Sequence, residues 1–230
     1  MSARPTILLF DIDGTLLHAG GAGRRAIARV FGDRFRRGET FDDVRFHGMT
    51  DRAIIRGGLE RAGLPADEAT IDGLCAAYLV ALAAEMPHSQ GFRVLPGVRE
   101  LLLALDARDG VAVGLGTGNL REGARIKLGH AGIDRHFAFG GYGCDHEDRA
   151  TIIRLAAERG AAHLGARPGE CRVVVIGDTL RDVAAARAIG AEALTVETGG
   201  AAGAELLAGG ATWAFADLTD AAVLPALVGR

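Results

Sequence analysis

Short apolar runs alternate with segments of helical periodicity along most of the chain, and this alternation restricts the fold more than any other feature. The clearest apolar runs lie at residues 6–10, 111–116 and 172–177, and weaker ones at 136–140, 192–197 and 212–216. The intervening segments predict helices at 97–108, 121–131, 148–160, 180–189, 203–208 and 217–227. Repeated strand–helix–strand units form a parallel sheet with helices on both faces. We therefore predict an α/β, Rossmann-like fold that binds ligands at the carboxyl ends of its strands.

One long segment interrupts this alternation. Residues 18–92 contain candidate helices at 22–31, 51–62 and 67–86 and no convincing central strand. The sequence therefore predicts an α/β core domain, residues 1–17 and 93–230, with a small all-helical cap domain inserted at 18–92. Such a cap would lie above the end of the first strand, where it can exclude water and select substrates. Within it, the stretches 20–26 and 45–52 carry the glycines and polar groups expected over a site.

Two aspartates follow the first strand, in "ILLFDIDGTLL" at residues 7–17. The pleat of the strand directs Asp11 and Asp13 to roughly the same side, and Gly14 permits a sharp turn close to a ligand. Carboxylates this close both stay ionised only if a cation lies between them or one holds a proton. The pattern predicts a magnesium site with a nucleophile and a general acid/base. The alternative is a solvated turn in which Asp13 and Thr15 cap the next segment.

The second clear core strand ends in "GLGTGN", which contains Thr117, Gly118 and Asn119. A hydroxyl and free backbone N–H groups at the start of a helix are suited to phosphate oxygens. The same glycines also fit the nucleotide loop of a methyltransferase or dinucleotide-binding domain. That loop usually follows the first strand of its fold, with an acidic residue closing the next strand. Because neither condition holds here, phosphate binding is the favoured interpretation.

The third strand ends in "GDTLRD", which places Asp178 and Asp182 four residues apart. Like charges at this helical spacing repel each other, and a bound cation would relieve the repulsion. The alternative is two aspartates favoured by the helix dipole. Lys127 is the single lysine among 26 lysine and arginine residues, and it lies ten residues after Thr117, on the helix that leaves the glycine loop. We expect its compact ammonium to meet a phosphate or a carboxylate, with an ordinary surface lysine as the alternative.

Taken in order, "DIDGT", the threonine after the next core strand, a lysine and "GDTLRD" resemble the haloacid dehalogenase superfamily. They are most similar to its phosphatases with a helical cap after the first motif, such as phosphoglycolate phosphatases. "LPGVRELLLAL" and "RAIGA" share this resemblance, which spans residues 6–197. It implies a magnesium-dependent phosphatase of a small phosphorylated metabolite, either phosphoglycolate-like or a sugar phosphate.

The resemblance also implies roles for individual residues. Asp11 would attack phosphorus and form an aspartyl-phosphate, and Asp13 would protonate the leaving oxygen and then activate water. Asp11, the Asp13 carbonyl and Asp178 would bind Mg²⁺, with Asp182 in the outer coordination sphere. The phosphoryl group would be held by Gly14, Thr117, Gly118, Asn119 and Lys127.

One departure from the family concerns the lysine. In most relatives it lies later, just before the helix that precedes the last motif, where this chain has Arg149. Either Lys127 reaches the site from its earlier helix or Arg149 takes its place. We expect Lys127, because its helix starts at the phosphate loop.

Three other functions stay open at this point. A phosphomutase would use the same aspartyl-phosphate, and a phospho-acceptor or binding module would carry it without turnover. An S-adenosylmethionine-dependent methyltransferase is the third and least favoured.

Composition excludes several classes of protein. A formal net charge of −3 over 230 residues gives no sign of a nucleic-acid partner. No run of about 20 apolar residues and no signal peptide is evident, so we expect a cytoplasmic protein without a membrane partner. Cys75, Cys144 and Cys171 are an odd number without C-x-x-C spacing, as expected for reduced thiols. No sequence pattern indicates the oligomeric state.

Overall fold

The structure is a computed structural model, and it describes residues 4–229. Within this range, six parallel strands form one sheet. They are β1 Thr6–Phe10, β4 Val111–Gly116, β5 Phe139–Gly141, β6 Arg172–Gly177, β7 Glu192–Val196 and β8 Trp213–Phe215. Their order across the sheet is β5-β4-β1-β6-β7-β8. The core helices are α4 Val98–Asp106, α5 Arg121–Ala131, α6 Arg149–His163, α7 Leu180–Ala188, α8 Gly203–Ala208 and α9 Val223–Val228. The α/β, Rossmann-like fold predicted from the sequence is confirmed.

Strand β1 lies in the middle of the sheet and all five of its side chains are buried. Leu8 pairs in register with Val113 of β4 and Val174 of β6. Alternate β1 residues face opposite sides, because successive side chains of a strand point in opposite directions. Ile7 and Leu9 pack with α6 and α7, whereas Leu8 and Phe10 belong to the other core cluster, with α4 and α5. Burial on both faces explains the unbroken apolar run in the sequence.

The inserted segment contains three helices, α1 Ala22–Phe35, α2 Asp51–Arg61 and α3 Glu68–Glu85. Helix α1 packs against α3, and the Phe31 and Phe41 rings meet edge to face with centroids 4.8 Å apart. Thr50 and Asp67 accept hydrogen bonds at the N-termini of α2 and α3, as preferred capping residues do. We refer to residues 18–92 as the cap.

A short antiparallel ribbon joins the cap to the core. Strands β2 Leu17–Ala19 and β3 Phe92–Val94 pair with Leu17 opposite Val94. The boundaries expected at 17/18 and 92/93 fall inside these two strands. The chain therefore leaves and re-enters the core through one two-stranded connection.

Helix α3 and the turn after it, Glu68–His88, form the one described helix long and apolar enough to cross a membrane, with a mean hydropathy of 1.4. Its buried side chains are Ile71, Leu74, Cys75, Tyr78, Ala81 and Leu82. Their spacing of three and four residues is that of one apolar face packed inside a folded domain.

Several predicted elements differ from the structure at their boundaries, among them helices α1 and α6, which extend to Phe35 and His163, and two of the differences have an evident cause. The strand expected at 136–140 is β5 Phe139–Gly141, because Asp134–His136 forms a 3-10 turn first. The helix expected at 217–227 begins only at Val223, because Asp217 and Asp220 accept hydrogen bonds from the backbone two residues later. Short aspartate side chains commonly close turns in this way.

Candidate active site

Three neighbouring strands end at one edge of the sheet, and each is followed by a polar residue of the site. Asp11 follows β1, Thr117 follows β4 and Asp178 follows β6. All three side chains are buried. Above them lies a cavity of about 490 Å³, lined by residues of both the core and the cap. This volume is within the range of small-molecule sites, and its position is the one expected for a parallel sheet.

Asp11 forms an ion pair with Arg149. The Arg149 Nη2 lies 2.7 Å from Asp11 Oδ2 and 2.5 Å from Asp182 Oδ1, so one guanidinium joins two carboxylates. Burial raises the pKa of Asp11, although Arg149 and the Thr117 hydroxyl favour the ionised form. Arg149 is itself buried, which by itself lowers its pKa, but the carboxylates of Asp11 and Asp182 outweigh this effect and raise the pKa above its usual range. The arrangement fixes the Asp11 carboxylate beside a permanent positive charge.

Asp13 has a different set of partners. Lys127 Nζ lies 2.5 Å from Asp13 Oδ2, and the Asn119 side-chain amide donates to the same oxygen at 3.0 Å. Lys127 also donates to Asn119 Oδ1 at 2.6 Å. Burial opposes ionisation of Asp13, but Lys127 and Asn119 outweigh it and lower its pKa. The Asp13 side chain remains 45% exposed, so it can still exchange a proton with a molecule in the cavity.

Asp11, Asp178 and Asp182 could together hold a metal ion. Each offers a carboxylate oxygen, and the three oxygens lie within 4.8 Å of one another. Burial and the charges of Asp182 and Asp11 raise the pKa of Asp178 to about 8, so a divalent cation would relieve this repulsion. Carboxylate oxygens are the ligands that Mg²⁺ prefers. These residues therefore fit the ion.

Two neighbours keep Asp178 in place at this cluster. The Thr15 hydroxyl donates to Asp178 Oδ1 at 3.0 Å. Gly14 has a φ of 85°, and a Cβ there would lie 2.5 Å from Asp178 Oδ2. A glycine is therefore required at position 14 both for the turn and for the space.

The segment 117–120 connects β4 to α5 and forms the floor of the cavity on that side. Thr117 Oγ1 accepts hydrogen bonds from the Asn119 backbone at 3.3 Å and from its side-chain amide at 2.9 Å. The Thr117 backbone N–H donates to the Gly141 carbonyl at 3.1 Å. Helix α5 then begins at Arg121, so its N-terminus points toward the cavity edge, where an anion is favoured.

A protein-family profile described as haloacid dehalogenase-like hydrolase matches residues 5–190. The chain belongs to this family. The resemblance that the four motifs indicated is therefore confirmed. A search of curated proteins found no match to this haloacid dehalogenase-like hydrolase.

Solved structures share the fold over almost the whole chain. A hydrolase from Pseudomonas syringae is 23% identical, with a TM-score of 0.67 and 94% of each chain covered. CbbY from Rhodobacter sphaeroides, in complex with phosphate, is 20% identical, with a TM-score of 0.71 and 98% of this chain and 99% of that one covered. A candidate β-phosphoglucomutase from Bacteroides vulgatus is 22% identical, with a TM-score of 0.66 and coverages of 100% and 92%. This haloacid dehalogenase-like hydrolase thus has the fold found among phosphatases and phosphomutases.

The structure brings all the predicted site residues of this haloacid dehalogenase-like hydrolase to one edge of the sheet. The two cationic side chains considered for the lysine role, Arg149 and Lys127, contact different aspartates of the first motif. Arg149, from α6, contacts Asp11, whereas Lys127, from α5, contacts Asp13. Arg149 thus lies beside Asp11 and Lys127 beside Asp13, because the two helices pack on opposite faces of the sheet. That Lys127 rather than Arg149 holds the phosphoryl group stays a prediction. The Asp13 carboxylate contacts Lys127 and Asn119 and is not part of the cluster of Asp11, Asp178 and Asp182, so a metal role for Asp13 through its backbone carbonyl stays a prediction.

Sequence reasoning missed Asp51 and Tyr78, two buried residues of the cap that line the cavity, and Asp51 is the charged one. Asp51 is the first residue of α2 in the cap, and its carboxylate accepts a hydrogen bond from the Leu120 backbone at 2.8 Å. The only signal for Asp51 was "MTDR", a capping threonine followed by an acid within the polar stretch 45–52. That signal is equally typical of a helix whose first-turn acid is exposed to solvent.

Proposed function

We propose that this protein is a magnesium-dependent phosphatase that hydrolyses a small phosphorylated metabolite through an aspartyl-phosphate on Asp11. The observation that carries the proposal is the unequal environment of Asp11 and Asp13. Asp11 is fixed between a guanidinium and a cluster of carboxylates, whereas Asp13 is partly exposed to the cavity on Lys127 and Asn119. Two carboxylates with separate environments are suited to the separate roles of nucleophile and acid/base.

In the first step an Asp11 oxygen attacks phosphorus while the bond from phosphorus to the ester oxygen breaks. The Arg149 guanidinium orients the Asp11 carboxylate for this attack. Asp13 enters this step in its protonated form, which is the minor form because Lys127 and Asn119 lower its pKa, and gives its proton to the departing oxygen, which leaves as an alcohol. Thr117, Gly118 and Asn119 supply hydroxyl, amide and backbone donors to the phosphoryl oxygens.

In the second step water attacks phosphorus and Asp13 takes its proton, so Asp11 is released and phosphate is formed. Lys127 keeps Asp13 ionised and oriented for this second role. Asp11, the Asp13 carbonyl, Asp178 and Asp182 are the residues that would hold Mg²⁺. The ion, when bound, would neutralise charge on the transferring phosphoryl group.

A cavity of about 490 Å³ is suited to a small phosphorylated metabolite. We place phosphoglycolate-like molecules and sugar phosphates first among the candidates. The likeness in fold to a candidate β-phosphoglucomutase makes a phosphomutase with the same aspartyl-phosphate the alternative. The cytoplasmic location expected from the sequence stays a prediction.

The deciding experiment measures phosphate release from a panel of small phosphomonoesters, with Mg²⁺ and with chelator. It compares the wild type with Asp11→Asn and Asp13→Asn, and uses Asp109→Asn, an exposed aspartate of the core, as control. We expect magnesium-dependent release from the wild type and the control, and a loss of at least about 10³-fold in kcat for the two motif variants. Isomerised sugar phosphate with little free phosphate would instead identify a mutase. No reaction with any ester, in a folded protein, would contradict the proposal.

A further inference from the structure

Asp51 joins the cap to residues 117–120, which we call the phosphate-binding segment, through hydrogen bonds to two backbone positions. Its backbone N–H donates to the Gly118 carbonyl at 2.9 Å, and its carboxylate accepts from the Leu120 N–H at 2.8 Å. The Asp51 side chain is only 7% exposed. A buried carboxylate that accepts a backbone N–H makes a strong and directional hydrogen bond. Segment 117–120 is thus bonded to the cap as well as to its own sheet.

The cap approaches this segment so closely that position 118 accepts no side chain. A Cβ on Gly118 would overlap the Met49 carbonyl oxygen and lie 2.9 Å from Thr50 Cα. From the opposite side, Gly143 lies against the Gly118 carbonyl, and its N–H donates to the Asn119 carbonyl at 2.8 Å. The segment is therefore enclosed between cap residues 49–51 and the core loop at Gly143.

Asp51 also contributes charge to the same place. Its carboxylate and that of Asp13 together hold the pKa of Lys127 above its usual range, against the effect of burial. The neighbouring Tyr78 of α3 favours the ionised form of the Asp51 carboxylate, although burial raises its pKa. The cap thus places one carboxylate, held by the Leu120 N–H, close enough to Lys127 to stabilise its ammonium.

From these contacts we infer that Asp51 is a positioning residue, which orders the phosphate-binding segment and Lys127 only when the cap is closed. Closing the cap would bring the Asp51 carboxylate onto the Leu120 N–H, and opening it would release segment 117–120. The cap would then complete the catalytic arrangement as well as exclude water. This inference rests on the proposed phosphatase function for its kinetic readout, but not for its structural one.

The test compares Asp51→Ala, which removes both acceptor and charge, with Asp51→Asn, which keeps an acceptor for Leu120. Asp67→Asn is the matched control, because Asp67 caps α3 at an exposed position of the same domain. The first readout is hydrogen exchange of the Leu120 amide, followed by NMR. We expect at least tenfold faster exchange in Asp51→Ala and near wild-type exchange in Asp51→Asn and in the control.

The second readout is kcat and KM for the best ester in the panel. Misplaced phosphate donors lower kcat more than they raise KM, so we expect a loss of tenfold or more in kcat for Asp51→Ala. Asp51→Asn should recover part of that loss. Wild-type exchange at Leu120 together with wild-type kcat in Asp51→Ala would overturn the inference. If no ester is hydrolysed even by the wild type, the exchange data still decide the structural part, so the two proposals fail separately.

Discussion

At the scale of single residues, the ionised Asp51 carboxylate should lower the free energy of unfolding, although we propose that the same residue supports activity. Burial raises its pKa from 3.8 to about 6, so the folded state keeps the proton over a pH range in which the unfolded state releases it. Stability is therefore lost as pH rises from about 4 to 6, by up to about 3 kcal/mol. The amide of Asp51→Asn cannot ionise, so this variant should not lose that stability as pH rises. We expect the variant to be more stable than the wild type at pH 7 and equal to it near pH 4.

Urea unfolding at both pH values measures this difference, with Asp67→Asn as the control. A variant that is less stable than the wild type at pH 7 would contradict the prediction. A stabilised but less active Asp51→Asn would be a trade between stability and activity, as is common at functional sites.

A second residue-scale prediction concerns Lys127 and Asp13. Burial alone would raise the pKa of Asp13, and it is the Lys127 ammonium that lowers it. Replacing Lys127 by Met should therefore raise the pKa of Asp13 above its value in the wild type. A ¹³C NMR titration of the aspartate carboxyls measures this, with Asp13→Asn to assign the signal. Arg125→Met, on the same helix but paired with Glu122, should leave the titration unchanged.

The sequence was sufficient to predict those site residues that directly follow a buried strand. Asp11, Thr117 and Asp178 directly follow buried apolar runs, and parallel strands must end at one edge of the sheet. The partners of those residues could not be predicted. Whether Arg149 or Lys127 reaches Asp11 depends on the side from which each helix crosses the sheet, and sequence spacing does not encode that.

At the scale of elements, helix α2 contains two adjacent glycines that should respond oppositely to the same change. A Cβ on Gly57 meets open space, so Gly57→Ala should stabilise the fold by about 0.5–1 kcal/mol through helix propensity. A Cβ on Gly58 would overlap the Phe41 ring, so Gly58→Ala should destabilise it by about 1–3 kcal/mol. Thermal unfolding of both variants tests the packing of α2 on the cap core. Equal shifts of the same sign in the unfolding temperatures of the two variants would contradict this packing.

The long, buried elements could be predicted from the sequence almost to the residue, as for β1, β4 and β6. Short elements could not, because their ends depend on partners elsewhere in the chain. Strand β5 pairs only Phe139–Gly141 with β4, and β2 exists because β3, which lies more than 70 residues away, pairs with it. Three-residue strands have too little pattern of their own to be recognised.

At the scale of the whole molecule, an ion pair links cap and core beside the site. Arg56 of α2 donates from Nε to both Glu147 oxygens, at 3.2 and 3.1 Å, and from Nη2 to Oε1 at 2.8 Å. Glu147 precedes the helix that carries Arg149 by two residues. Together with Asp51, this pair joins α2 of the cap to two separate core segments, residues 118–120 and Glu147. Its energy therefore reports whether the cap is closed.

A double-mutant cycle with Arg56→Gln and Glu147→Gln measures that energy in urea unfolding. Both side chains are about 30% exposed, so solvent screens the pair and we expect a coupling of about 0.5–1 kcal/mol that falls with added salt. The control cycle, Arg61 with Asp43, lies entirely within the cap at more exposed positions and should couple less. Coupling in the ligand-free protein would mean that the cap is closed before substrate arrives. Zero coupling, both without ligand and with Mg²⁺ and inorganic phosphate, would contradict the closed arrangement on which the role of Asp51 depends.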